Sequence, residues 1–103
     1  MKFKQIVNLT PHDIVANGVK IQASGLSARL KLKSKYRGTH FGIPIKSIQV
    51  QGVENLPSPK RGVYLILSQS VKVYLLERRD LLTPYELLTN SVGKVVGCKS
   101  LSL

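Results

Sequence analysis

From Arg29 to Arg37 the chain alternates without a break. Arg29, Lys31, Lys33, Lys35 and Arg37 hold every second position, and Leu30, Leu32, Ser34 and Tyr36 stand between them. Successive side chains of a β-strand point to opposite faces. Period two therefore lines the five cations along one face, about 6.6 Å apart, and leaves a second face that is apolar enough to join a core. Tyr36 falls on that second face by parity and is expected to be a core residue rather than a base-stacking one.

The row of cations sits in a chain that is basic throughout. Sixteen Lys and Arg against five Asp and Glu give a net charge of +11. Such an excess favours phosphate-bearing or otherwise acidic partners. Arg29, Lys31, Lys33, Lys35, Arg37 and Lys46 are the candidate residues for nucleic-acid binding, and Lys20, Lys60 and Arg61 could widen the patch. The alternate-residue spacing of a strand is of the same order as the phosphate spacing of an extended nucleic-acid strand. With all five cations of the row engaged, log K falls against log salt with a slope near −4.5 on duplex and −3.5 on a single strand. Only six aromatic residues are present and none is Trp, which makes for a thin stacking platform, although Phe41 is a candidate. Backbone contact without sequence readout is the form of binding this predicts. Plainer readings exist. A charged outer face is common on half-buried antiparallel strands, lysines protect edge strands, and excess Lys keeps small proteins soluble.

Elsewhere the pattern is that of a small β protein. Phe3, Ile6 and Val7 suggest a first strand ending near Leu9, and Thr10-Pro11-His12-Asp13 a capped turn. Asn17-Gly18 between Ile14-Val15-Ala16 and Val19-Lys20-Ile21 predicts a hairpin with a type I′ turn, since both residues tolerate positive φ. Gly38 ends the basic strand, Thr39 to Ile43 reads as a loop, and Ile45, Ile48 and Val50 suggest another strand leading to Gly52. Pro57 and Pro59 exclude a central strand there, whereas Val63-Tyr64-Leu65-Ile66-Leu67 predicts a strand buried on both faces. Ser68 to Arg79 fits a helix or a strand, and a short helix capped by Ser68 is preferred. Val95 to Cys98 forms a last strand after a turn near Asn90 to Gly93. Residues 9–17 and 82–90 are identical at four of nine positions. Independent use of one capping chemistry is preferred over an internal repeat.

A length of 103 residues fits a single domain, 1–103, with one modest core. One cysteine, Cys98, excludes an internal disulfide and fits a reducing compartment. No apolar run reaches the ~18 residues of a membrane span, and residues 1–7 lack the apolar stretch and cleavage site of a signal peptide. A soluble cytoplasmic protein is expected, so the sequon Asn8-Leu9-Thr10 carries no meaning. Signals for chemistry are sparse. His12, His40 and Cys98 lack metal-ligand spacing, and a Cys98–His12 nucleophile competes with His12 as a turn residue and Cys98 as a buried small hydrophobe. Asp13 and Glu86 look committed to turns or caps, and Glu77-Arg78-Arg79-Asp80 to a solvated run. No phosphate-cradling glycine loop is present. No catalytic residue, metal or cofactor is expected.

Three segments carry a resemblance. They are Val7-Asn8-Leu9-Thr10-Pro11-His12; Gly52-Val53-Glu54-Asn55-Leu56-Pro57 with Gly62 to Ser68; and Asp80-Leu81-Leu82-Thr83-Pro84 with Gly93 to Cys98. In order and spacing the chain resembles a group of small uncharacterised proteins encoded by phages, prophages and archaeal viruses. The opening Asn-Leu-Thr-Pro-His is its most specific piece. The resemblance implies a viral origin and a short helix after Ser68, but no activity. The basic run departs from the group, marking it as a local specialisation.

The fold expected is mainly β: a small antiparallel β-barrel or rolled sheet of about six strands with one short helix. The function expected is that of a non-enzymatic viral accessory protein holding DNA or RNA backbone through a basic β surface. A virion component or host-protein interaction module using the same strand as an interface, with self-association as one form, is the alternative. A Cys–His enzyme is the third.

Overall fold

The computed structural model describes residues 5–103. Eight strands and one helical turn follow in order: β1 Gln5–Asn8, β2 Ile14–Ala16, β3 Val19–Ile21, β4 Arg29–His40, β5 Ile43–Glu54, β6 Val63–Ile66, α1 Gln69–Lys72, β7 Leu81–Thr89 and β8 Val95–Ser102. Six strands make one sheet in the order β1-β6-β7-β8-β2-β3, and β4 and β5 pair only with each other. The fold is mainly β, with a rolled, barrel-like sheet that is antiparallel in part. Strands β1, β6 and β7 run parallel, while β7 with β8 and β2 with β3 are antiparallel. Phe3, read as part of the first strand, lies outside the described residues.

The sheet nearly closes on itself through one buried side chain. Asn8, at the end of β1, is 1% exposed. Its Nδ2 donates to the carbonyls of His12 (2.8 Å) and Ile21 (3.2 Å), and its Oδ1 accepts from the Thr10 amide (2.9 Å). The Thr10 hydroxyl lies 2.6 Å from Asn8 Oδ1 and 2.9 Å from the His12 carbonyl, its one proton serving either. A backbone bridge from Asn8 to Ala23, with Ser24 N donating to Asn8 O (3.0 Å), then ties the β1 edge to the chain leaving β3. A buried amide is stable only when its donors and acceptors are used, and here they are. Thr10 therefore serves this junction and caps no helix.

β6 lies between β1 and β7 and is buried on both faces, as its unbroken apolar run requires. Leu65 packs with Leu9, Ala28, Leu67, Val71 and Leu81 on one side. Tyr64 and Ile66 pack with Leu82, Ile14, Ile21 and Leu101 on the other. The helix after Ser68 is one turn long. Ser68 caps it through its carbonyl, which accepts from Val71 N and Lys72 N (both 3.1 Å), while its side chain makes no capping bond. The turn buries Val71 against the first cluster.

Two expectations are corrected along β7. Residues 82–90 do not repeat the bend of residues 9–17: Thr83-Pro84-Tyr85-Glu86 belongs to the strand. Proline is tolerated because β6 pairs only as far as Leu82, so at Pro84 that edge of β7 has no neighbour strand. Glu86 makes no cap. It adopts φ 56° within β7 and accepts from the Ser100 hydroxyl at 2.8 Å. The Glu77–Asp80 run is not simply solvated either. Arg78 grips Asp80 through Nε–Oδ1 (2.8 Å) and Nη2–Oδ2 (2.6 Å), and donates to the Pro57 carbonyl (3.2 Å). The hydrogen bond from Arg78 holds the Asp80 carboxyl below its ordinary value, outweighing the opposing effect of burial. Among the described residues no helix is long and apolar enough to cross a membrane.

Candidate functional site

The basic run forms β4, and its alternation survives in three dimensions. Directly opposed residues of an antiparallel pair share a face. Lys31, Lys33 and Lys35 stand opposite Gly52, Gln49 and Ser47. A bulge at Arg37 shifts the register between Tyr36 and Gly38, yet Arg37 Nε donates to Ser47 Oγ (3.1 Å), which keeps it on the Lys35 side. Arg29, at the root, faces Glu54 and pairs with it at 3.4 Å. Glu54 is the one acidic residue between positions 29 and 54. Small or neutral partners across the ribbon thus leave the cations from Lys31 to Arg37 unopposed.

What covers the other face differs from expectation. Among the described residues β4 pairs only with β5, and past the root its apolar side is exposed rather than covered by a second layer. Leu30 and Val53, at the root, pack against the first core cluster. Farther out Leu32 is exposed, Tyr36 is 59% exposed and Ile48 is 67% exposed. Tyr36 is thus on the predicted face but outside any core, and its hydroxyl bonds the Thr39 hydroxyl. Lys46 stands opposite Tyr36, on this second face, apart from the five-cation row. Lys20 lies on β3 and pairs with Asp13 at 3.5 Å. Lys60 and Arg61 line an open cleft beside β6 with Glu77, Arg79 and the Arg78–Asp80 pair.

The ribbon is also longer than the sequence suggested. Gly38 does not end β4, and Thr39 to Ile43 is not a loop: the strand continues to His40 and β5 begins at Ile43. Phe41 and Gly42 alone make the turn, at φ 52° and 73°. Positive φ at both positions is the type I′ geometry that suits a twisted hairpin. Two strands of twelve residues reach about 40 Å at some 3.3 Å per residue. The radius of gyration, 16.7 Å, exceeds the ~13 Å of a compact chain of about this size because this ribbon projects. Asn55 Nδ2, bonded to the Ser27 carbonyl (3.1 Å), ties its two feet together.

Cys98 is 1% exposed, and its thiol lies 3.7 Å from the Val15 carbonyl as a weak donor. His12 is exposed in the bend and His40 is exposed near the ribbon tip. Among the described residues no three His, Cys, Asp or Glu side chains gather as metal ligands would. No protein-family model, curated protein or solved structure matches the chain.

Proposed function

We propose that this is a small virus-encoded accessory protein that holds nucleic-acid backbone through its β4–β5 ribbon and catalyses no reaction. One observation carries the reading: a row of cations at alternate positions of β4, from Lys31 to Arg37, lies on one face of a free-standing two-stranded ribbon with no acidic residue across from it. Like charges in a row repel, and an anionic polymer with regularly spaced charges relieves that repulsion. β-Ribbons are also elements that DNA-binding proteins lay in the major or the minor groove of duplex DNA. The viral assignment is supported by the resemblance of the opening Asn8-Leu9-Thr10-Pro11-His12. Binding to short duplex and single-stranded oligonucleotides, titrated with salt, tests the reading. Strong, salt-sensitive binding that is lost in a Lys31→Glu, Lys33→Glu, Lys35→Glu variant supports it, and undetectable binding at low salt rejects it.

A second reading has its own support in the uncovered apolar face of the same ribbon. Leu32 and Ile48 are exposed there in a monomer. A virion or host protein, or another copy of the chain, would bury them. Self-association that persists at high salt and weakens in Ile48→Lys favours this interaction role instead.

A further inference from the structure

Past Arg37 the cationic face of the ribbon turns apolar. Ile45 and Ile43 continue the face of Ser47 and Gln49 by parity along β5, and both are exposed. Phe41 closes the turn and is 102% exposed. Among the described residues nothing covers the ring. Its backbone is also costly, since a bulky residue at positive φ is an outlier. The other tight hairpin of this chain solves the same problem conventionally: Asn17-Gly18 adopts φ 50° and 77°. Phe41-Gly42 adopts nearly the same angles with a residue unsuited to them. An exposed aromatic in a conformation that asparagine would adopt more readily points to a use for the ring itself.

We propose that Phe41 is an apolar wedge that enters between base pairs of duplex DNA and kinks the helix, while the cations behind it hold the phosphates. This rests on the nucleic-acid reading of the ribbon and names its substrate as duplex DNA. The geometry fits. Arg37 lies four residues behind Phe41, about 13 Å along the strand, and Lys35, Lys33 and Lys31 follow at about 6.6 Å intervals. The ribbon, about 40 Å long, matches roughly one turn of duplex. Proteins that bend DNA commonly combine backbone cations with an inserted Phe, Leu, Ile, Met or Pro side chain. An anionic lipid surface also attracts cations beside an exposed aromatic, but a fluid surface sets no spacing, whereas these cations are regularly spaced in a line.

Phe41→Asn is the decisive variant, because it places an Asn-Gly pair in a type I′ turn and keeps the ribbon folded. The assay uses a duplex of about three helical turns, roughly 31 bp, with a donor and acceptor dye at its ends and a 2-aminopurine at its centre. The wild-type protein is expected to shorten the end-to-end distance, corresponding to a bend of about 20° or more, and to raise the 2-aminopurine fluorescence as the base unstacks. Phe41→Asn is expected to bind with an unchanged salt slope and to lose both signals, whereas Phe41→Leu retains part of each. Equal bending by Phe41→Asn, or wild-type binding without bending, overturns the wedge while leaving backbone binding intact. Phe41-dependent binding to vesicles of phosphatidylserine, with no bending of DNA, overturns it in favour of a membrane. Absence of salt-sensitive DNA binding removes the nucleic-acid reading and the wedge with it.

Discussion

Single side chains decide how this sheet closes and what its ribbon presents. Asn8 saturates the junction between β1 and the chain after β3. Asn8→Ala leaves the Thr10 amide and the Ile21 carbonyl without their partner in a part-buried corner, while the His12 carbonyl keeps the Thr10 hydroxyl, and is expected to cost about 1–3 kcal/mol in urea unfolding. Asp80 gives a pH dependence of definite sign. Its carboxyl titrates below the ordinary value in the folded protein because Arg78 donates to it. The unfolded chain therefore takes up the proton first. The stability from this pair is complete above about pH 4 and is lost as pH falls through the folded value. Asp80→Asn is expected to cost about 1.5–3 kcal/mol at neutral pH and to flatten the acid limb of the stability curve. Phe41 runs the other way. Phe41→Asn relieves backbone strain of order 1 kcal/mol and is expected to raise Tm by roughly 4–8 °C, read by circular dichroism.

The elements differ in how plainly the sequence announces them. The β2–β3 hairpin is legible because Asn17-Gly18 suits the turn it makes, and β6 because an unbroken apolar run needs cover on both faces. The tip of the long ribbon is hidden because Phe41-Gly42 is not a pair that ordinarily signals a hairpin. β7 is hidden because Leu82-Thr83-Pro84 resembles a capped turn, and only the end of β6 pairing shows why Pro84 fits a strand. Alternation along β4 fixes which residues share a face. It does not fix whether a second layer covers the apolar side, so the candidate cations are legible and the exposure of Leu32, Tyr36 and Ile48 is not. The register also separates Lys46 from the row, which depends on where the bulges fall. Close packing of β2 on β8 yields a further test. A Cβ on Gly97 meets the Val15 carbonyl oxygen at 2.9 Å, the same oxygen that faces the Cys98 thiol. Gly97→Ala pushes these strands apart and is expected to cost about 1–3 kcal/mol. Iodoacetamide is expected to label Cys98 slowly in the native wild type and faster in this variant.

The whole molecule divides the labour between a rolled sheet that supplies stability and a ribbon that supplies surface. Nearly all buried side chains belong to the sheet, its connections and α1, whereas the ribbon is buried only at its root. Substitutions on the outer strands of the ribbon, away from the strained Phe41 turn, are therefore expected to leave unfolding unchanged within about 0.5 kcal/mol while altering binding. The net charge of +11 adds a general attraction to polyanions, which alone would survive loss of a few particular lysines. The most direct measurement is the salt dependence of duplex binding for the wild type and for Lys31→Ala, Lys33→Ala, Lys35→Ala. Four cations from Lys31 to Arg37, joined by Arg29 if it leaves Glu54, predict a slope of log K on log salt between about −3.6 and −4.5. The triple variant is predicted to flatten it by about 2.7 with unfolding unchanged. An equal slope in the two proteins would contradict the ribbon as the binding surface.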